Sequence, residues 1–125
     1  MSVSVDWHPD YDSVLLMAFV GDVTMDEALD ATEQESELIA NAGRLVHTII
    51  DLHQVNGIPS NFISNMPRIA RMPAANHPHA GQKIVVGASG LAATFLNIFS
   101  KVYRKLDMVA TPEEADAILK KLNPS

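Results

Sequence analysis

Residues 2–7, Ser-Val-Ser-Val-Asp-Trp, alternate polar and apolar side chains, the two-residue period of a strand with one buried face. His8-Pro9-Asp10-Tyr11-Asp12-Ser13 is turn chemistry, and Val14 to Val20 is a second, almost wholly apolar run of strand length. Two strands joined by a short polar loop pair most simply as an antiparallel hairpin. Gly21-Asp22-Val23 interrupts the run, and the period then becomes helical. Thr24, with Glu27 three residues on, forms a capping box. Met25, Ala28, Leu29, Thr32, Ser36 and Ile39 share one helix face, and Asp26, Asp30, Glu33 and Glu37 share another. Asn41-Ala42-Gly43 ends the helix, with a glycine near the position that favours a left-handed backbone.

Leu45 to Leu52 is mostly apolar and rich in branched side chains, which predicts a strand covered on both faces, as in parallel sheets. Gly57-Ile58-Pro59-Ser60 predicts a loop ending in a helix cap, followed by Phe62, Ile63, Met66, Ile69 and Ala70 at helical spacing. A proline inside a helix costs about 3 kcal/mol, so Pro67 marks a kink or a restarted first turn. Pro73 to Gly81 predicts a loop and Lys83 to Gly87 a fourth strand. Ser89 or Gly90 opens a helix carrying Leu91, Phe95, Ile98, Phe99 and Val102. Leu106 to Ala110 predicts a short fifth strand. Thr111-Pro112-Glu113-Glu114 is a second capping box, ahead of the stripe Ala115, Ile118, Leu119 and Leu122. The order β-β-α-β-α-β-α-β-α predicts one α/β domain over residues 1–125. Its sheet is mixed and mostly parallel, with five strands, an N-terminal antiparallel hairpin and about four helices.

Composition narrows the function classes. The 125 residues are 47% apolar and 19% charged, which suits one folded domain and excludes disorder as the main state. There is no cysteine, so disulfides, thiolate metal sites and thiol nucleophiles are excluded. The net charge is −6, and it is unevenly spread: residues 1–43 carry −10 and residues 44–125 carry +4. An acidic domain repels phosphate backbones, so nucleic acid is not an expected partner. The polarity favours self-association or a basic partner; its plainer reading is a solvated acidic helix. No apolar stretch approaches the roughly 20 residues of a membrane span, and the N-terminus lacks a secretory pattern, so the expected location is the cytoplasm.

In open α/β sheets ligands gather beyond the carboxyl ends of the parallel strands. Two such ends stand out. The first, Asp51 through Asn61, collects Asp51, His53, Asn56, Ser60 and Asn61 at a strand-to-helix junction. Free N–H groups there suit a phosphate or carboxylate, or they are satisfied by an Asp-led loop and a serine cap. The second, Gly87-Ala88-Ser89-Gly90-Leu91, offers Ser89 and Gly90, either as an anion cradle or as a tight turn for close helix–sheet packing. It matches neither a Walker loop, a nucleophile elbow nor a dinucleotide fingerprint. Asp51, His53 and Ser60 assemble a serine triad only on paper, because residues two apart on a strand end make a poor relay. His77-Pro78-His79 has no acid within ten residues and does not read as a metal site, and His47 reads as a hydrogen-bonded core histidine. No catalytic group, metal or cofactor is therefore expected.

The element order, the strand Thr48-Ile49-Ile50-Asp51-Leu52, its continuation to Ile58-Pro59-Ser60-Asn61, and the strand Lys83-Ile84-Val85-Val86-Gly87 together resemble the STAS domain. This is the sporulation anti-sigma-factor-antagonist fold, shared by small SpoIIAA-like and STAS/SEC14-like proteins. The resemblance implies a non-enzymatic regulatory module that works through a protein partner; the −10/+4 charge split, the six methionines and the small size favour a homodimer. In the family, a strand ending in Asp-Leu leads to Asp-Ser-Ser-Gly, where one serine is phosphorylated. Here Ser60 matches the first serine, Asn61 stands where the phosphorylated one falls, and Phe62 replaces the glycine. Ser60 is thus the candidate modification site. The alternative implied by the SEC14-like relatives is a small lipid or anionic ligand held at the strand rim by His53, Ser60, Ser89 and Gly90.

Overall fold

The computed structural model describes residues 3–57, 59, 61–88, 90, 97, 100 and 105–122. Five strands lie side by side in sequence order: β1 (Val3–Trp7), β2 (Val14–Gly21), β3 (Val46–Val55), β4 (Ala80–Val86) and β5 (Leu106–Val109). β1 and β2 form the antiparallel hairpin, with Val5 opposite Met17, and every other pairing is parallel. Among the described residues there are four α-helices: α1 (Met25–Asn41), α2 (Met66–Ala70), α3 (Pro73–Asn76) and α4 (Pro112–Leu122). The helix expected from Ser89 or Gly90 to Val102 lies outside the described residues, apart from Gly90, Asn97 and Ser100.

Sequential parallel strands with right-handed crossovers put their connecting helices on one face. α1 and α3 accordingly pack together, and their face of the sheet buries Leu15, Ile39, Val46 and Ala74. At the other end of α1, Met25, Ala28 and Leu29 pack with Phe62, Met66 and Ile69. α4 covers the opposite face, where Val14, Ile49, Ile84 and Val86 meet Ala115 and Leu119. Each fully buried aliphatic side chain contributes about 1.5–3 kcal/mol.

Local chemistry sets the helix boundaries. The Thr24 hydroxyl accepts from the Glu27 N–H at 3.2 Å, and the Glu27 carboxylate accepts from the Thr24 N–H at 3.1 Å, completing the capping box. The Thr111 hydroxyl accepts from the Glu114 N–H at 3.2 Å in the same way. Pro67 restarts a helix: a 3₁₀ turn over Ile63–Asn65 gives way to α2, with the proline in its first turn. The segment from Pro73 to Gly81 departs from the expected loop. Pro73 nucleates the single turn of α3, and β4 begins at Ala80, earlier than Lys83, because Val46 pairs with Ala80 across the β3–β4 ladder. β3 likewise outruns its expected end at Leu52, since β2 continues to Gly21 and pairs with Gln54 and Val55.

Candidate functional site

The carboxyl ends of β3 and β4 form one rim. Asp51 pairs with Val86 in register, and Gly87 follows directly with φ +75°. A Cβ placed on Gly87 would lie 2.5 Å from the His53 Cβ, so only glycine permits this approach of the two strand ends. The two segments singled out in the sequence therefore touch, through Gly87 and His53. Gly90 has φ +57°, is exposed, and among the described residues nothing lies where a Cβ would point. Ser60 and Ser89 lie outside the described residues.

A β-bulge shapes the rim. Ala18 pairs with Asp51 and Val20 with Gln54, which leaves one extra residue on β3. Next to this irregularity, Asp51 Oδ1 accepts both the His53 backbone N–H, at 3.0 Å, and a contact from its ring Nδ1. Residues two apart on a strand share a face, and here the local backbone brings the imidazole within reach of the carboxylate. His53 is a strand residue with its imidazole held by a carboxylate and its side chain half exposed. Asn56 is tied down too: its side chain donates to Asp22 Oδ1 at 3.0 Å and its N–H to Gly21 O at 2.9 Å. The Asn61 carbonyl accepts from Ser64 Oγ and Asn65 Nδ2, both at 2.9 Å. Asn61 also lines a cleft of about 360 Å3 with Pro59 and the start of α1 at Val23 to Asp26. Beyond it, Ile63 is 55% exposed, an apolar side chain presented beside Ser64, Pro67 and Arg68.

On the α4 side of the same rim, Asp51 lines a second cavity of about 190 Å3 with His8, Leu16, Ile49, Val86, Pro112, Ala115, Asp116 and Leu119. The Tyr11 hydroxyl donates to Asp116 Oδ1 at 3.2 Å. Its pKa is raised, first by partial burial and then by the carboxylate it faces. Asp116 is held below its ordinary value chiefly by the Lys120 ammonium at 3.1 Å. His8 and Asp116 escaped the sequence reading because they come from opposite ends of the chain. The signal was present only as a polar tip on each flanking element.

The buried Glu35 and Lys83 were also missed. Lys83 Nζ lies 2.5 Å from Glu35 Oε2 and 3.4 Å from Thr48 Oγ1, with both charged side chains 2% exposed. Two signals point to them. Glu35 follows Ala28, Ala31 and Thr32 on the buried face of α1, and Lys83 sits in a strand expected to be covered on both sides. Asp26, Asp30, Glu33 and Glu37 are exposed, as their spacing implies. His47 is the expected core histidine: its Nδ1 accepts from the Gln82 N–H at 2.9 Å, and its pKa is lowered by burial, with Lys105 and Lys83 adding repulsion. Among the described residues no three His, Cys, Asp or Glu side chains come together as metal ligands, and no helix is long and apolar enough to cross a membrane.

No protein-family model and no curated protein matches the sequence. Solved structures do match. The anti-sigma factor antagonist SpoIIAA in its unphosphorylated form superposes with a TM-score of 0.66 at 16% identity, covering 95% of this chain and 98% of that one. An uncharacterised DUF3478-family protein with a SpoIIAA-like fold from Shewanella loihica PV-4 gives 0.65 at 12% identity, covering 94% and 92%. The Bacillus cell fate determinant SpoIIAA in its phosphorylated form gives 0.61 at 14% identity, covering 92% and 99%. With its sequential five-stranded sheet and N-terminal hairpin, the chain has the SpoIIAA-like fold of STAS domains.

Proposed function

We propose that this chain is a non-enzymatic regulatory module that binds a protein partner through Asp51, His53, Asn56, Ser60, Asn61, Ser89 and Gly90. The observation that carries the reading is the likeness to an anti-sigma factor antagonist along nearly the whole of both chains. The local geometry supports it. His53 and Asn56 are held by Asp51 and Asp22, so they lose little freedom on contact, and the exposed Ile63 supplies an apolar anchor next to polar groups. Ser60 is the modification position on this reading, because Asn61 cannot accept a phosphoryl group where the family's phosphorylated serine falls. The working location is the cytoplasm, and a second copy of the chain is one candidate partner.

A photo-crosslinking residue at Ile63, and separately at the exposed Leu122 on α4, tests this in the native cell. The proposal expects one discrete adduct from Ile63, lost with His53→Ala, and none from Leu122. A mass of twice the chain identifies a homodimer; any other discrete mass identifies a different protein. Adducts from Leu122 alone, or a smear from both positions, would overturn it. Intact mass of the purified chain, with and without Ser60→Ala, reports whether Ser60 carries a phosphate.

A further inference from the structure

The cavity on the α4 face differs in chemistry from the partner-facing surface. Its floor is apolar: Leu16, Ile49, Val86, Ala115 and Leu119 line it, and all but Leu16 are buried. Among the described residues its polar lining groups are two carboxylates, Asp51 and Asp116, and the His8 imidazole, with no Lys or Arg. The His8 ring is anchored, since Nδ1 accepts from the Asp10 N–H at 3.0 Å and the ring packs 5.2 Å from Tyr11. Asp51 Oδ1 is occupied by His53. Lys120, the cation paired with Asp116, is 71% exposed on the outside of α4, so it competes weakly for that carboxylate.

We propose that this cavity is a binding site for a small amphipathic amine, its apolar body on Ile49, Val86 and Leu119 and its ammonium between Asp51 and Asp116. The volume of about 190 Å3 is slightly larger than the roughly 150 Å3 that holds benzene, so the fitting ligand has about eight non-hydrogen atoms. The two lining carboxylates, offset in part by the exposed Lys120 beside Asp116, repel anions and favour a protonated amine. The apolar floor discriminates against fully hydrated inorganic cations and long polyamines. The site lies between α4 and the sheet face, next to the carboxyl end of β4 at Val86. It shares Asp51 with the protein-partner reading but does not rest on it, because Ile63 and Asn61 are not among its lining residues.

Benzylamine is the probe, with benzyl alcohol and benzoate as neutral and anionic matches of the same shape. Titrations followed by amide NMR should show benzylamine shifting Asp51, Val86, Ala115 and Asp116, with a dissociation constant of about 1 mM. Benzoate should leave those signals unmoved. Asp116→Asn should weaken benzylamine at least about tenfold and leave benzyl alcohol within about twofold, and Ala115→Leu should abolish binding of both by filling the floor. Asp116 is partly exposed, so its variant should fold even if Ala115→Leu does not. Benzoate binding as well as benzylamine, or benzylamine shifts scattered elsewhere on a folded protein, would overturn the proposal. So would a benzylamine affinity unchanged by Asp116→Asn.

Discussion

Lys83→Met cuts the buried ion pair under α1 and leaves the Glu35 carboxylate 2% exposed with its cation gone. Thr48, another group near Lys83 Nζ, lies 3.4 Å from it and has no positive charge to offer in exchange. Removing one partner of a buried pair costs about 3–5 kcal/mol, because the remaining charge must be desolvated without compensation. Glu35→Leu strands the ammonium in the same way. The double variant Glu35→Leu with Lys83→Met replaces both charges by apolar groups of similar length. It should sit within about 1 kcal/mol of the natural protein, or be more stable by up to about 4 kcal/mol. Against a total stability of about 5–15 kcal/mol, each single change is severe. For a domain of this size it should lower the melting temperature by about 10–20 °C. Urea unfolding of the four proteins, analysed as a double-mutant cycle, gives the coupling directly. Single variants within about 1 kcal/mol of the natural protein would show that the pair is not desolvated as its burial implies. A double variant as unstable as the sum of the singles would show that the charges act independently.

Gly87→Ala adds a methyl at φ +75° and 2.5 Å from the His53 Cβ, so it should cost more than the roughly 1–2 kcal/mol of the left-handed backbone alone. Gly90→Ala, at φ +57° with no described residue where the Cβ would point, should cost about that backbone share, and chemical denaturation of the pair separates the two. The folded-state pKa of His47 lies below its ordinary value of 6.5. Its contribution to stability is therefore complete above about pH 6.5 and lost as pH falls from there towards the folded pKa, where the unfolded chain takes a proton that the folded one refuses. A pH series of urea midpoints should show that loss, and His47→Gln should flatten it. Thr24→Ala removes the cap of α1 and should cost about 0.5–2 kcal/mol, read by thermal melting with circular dichroism.

Much of the fold was legible because the deciding signals are local. The alternation of Val3 to Trp7, the apolar run from Val14, and the boxes at Thr24–Glu27 and Thr111–Glu114 each act within one element, and each appears where its chemistry put it. Pro67 was legible as a kink or a restarted first turn, and the structure settles it as the first turn of α2. The polar end of β3, His53-Gln54-Val55, reads as loop; only pairing with the tail of β2 makes it strand, and next to the irregularity in that pairing His53 meets Asp51. Glu35 looks like one more acid in an acidic helix until α1 is laid on β4, where it meets Lys83. The cavity shared by His8, Asp51 and Asp116 comes from three separate stretches of chain, which is why no spacing announced it.

Every functional reading above depends on the junctions after β3 and β4 meeting at one edge of the sheet. Nuclear Overhauser spectroscopy on the isotope-labelled protein tests that contact directly. The account predicts strong cross-peaks from the Gly87 α-protons to the α- and β-protons of His53. Assigned spectra that lack those cross-peaks, together with a Gly87→Ala variant as stable as the natural chain, would contradict it.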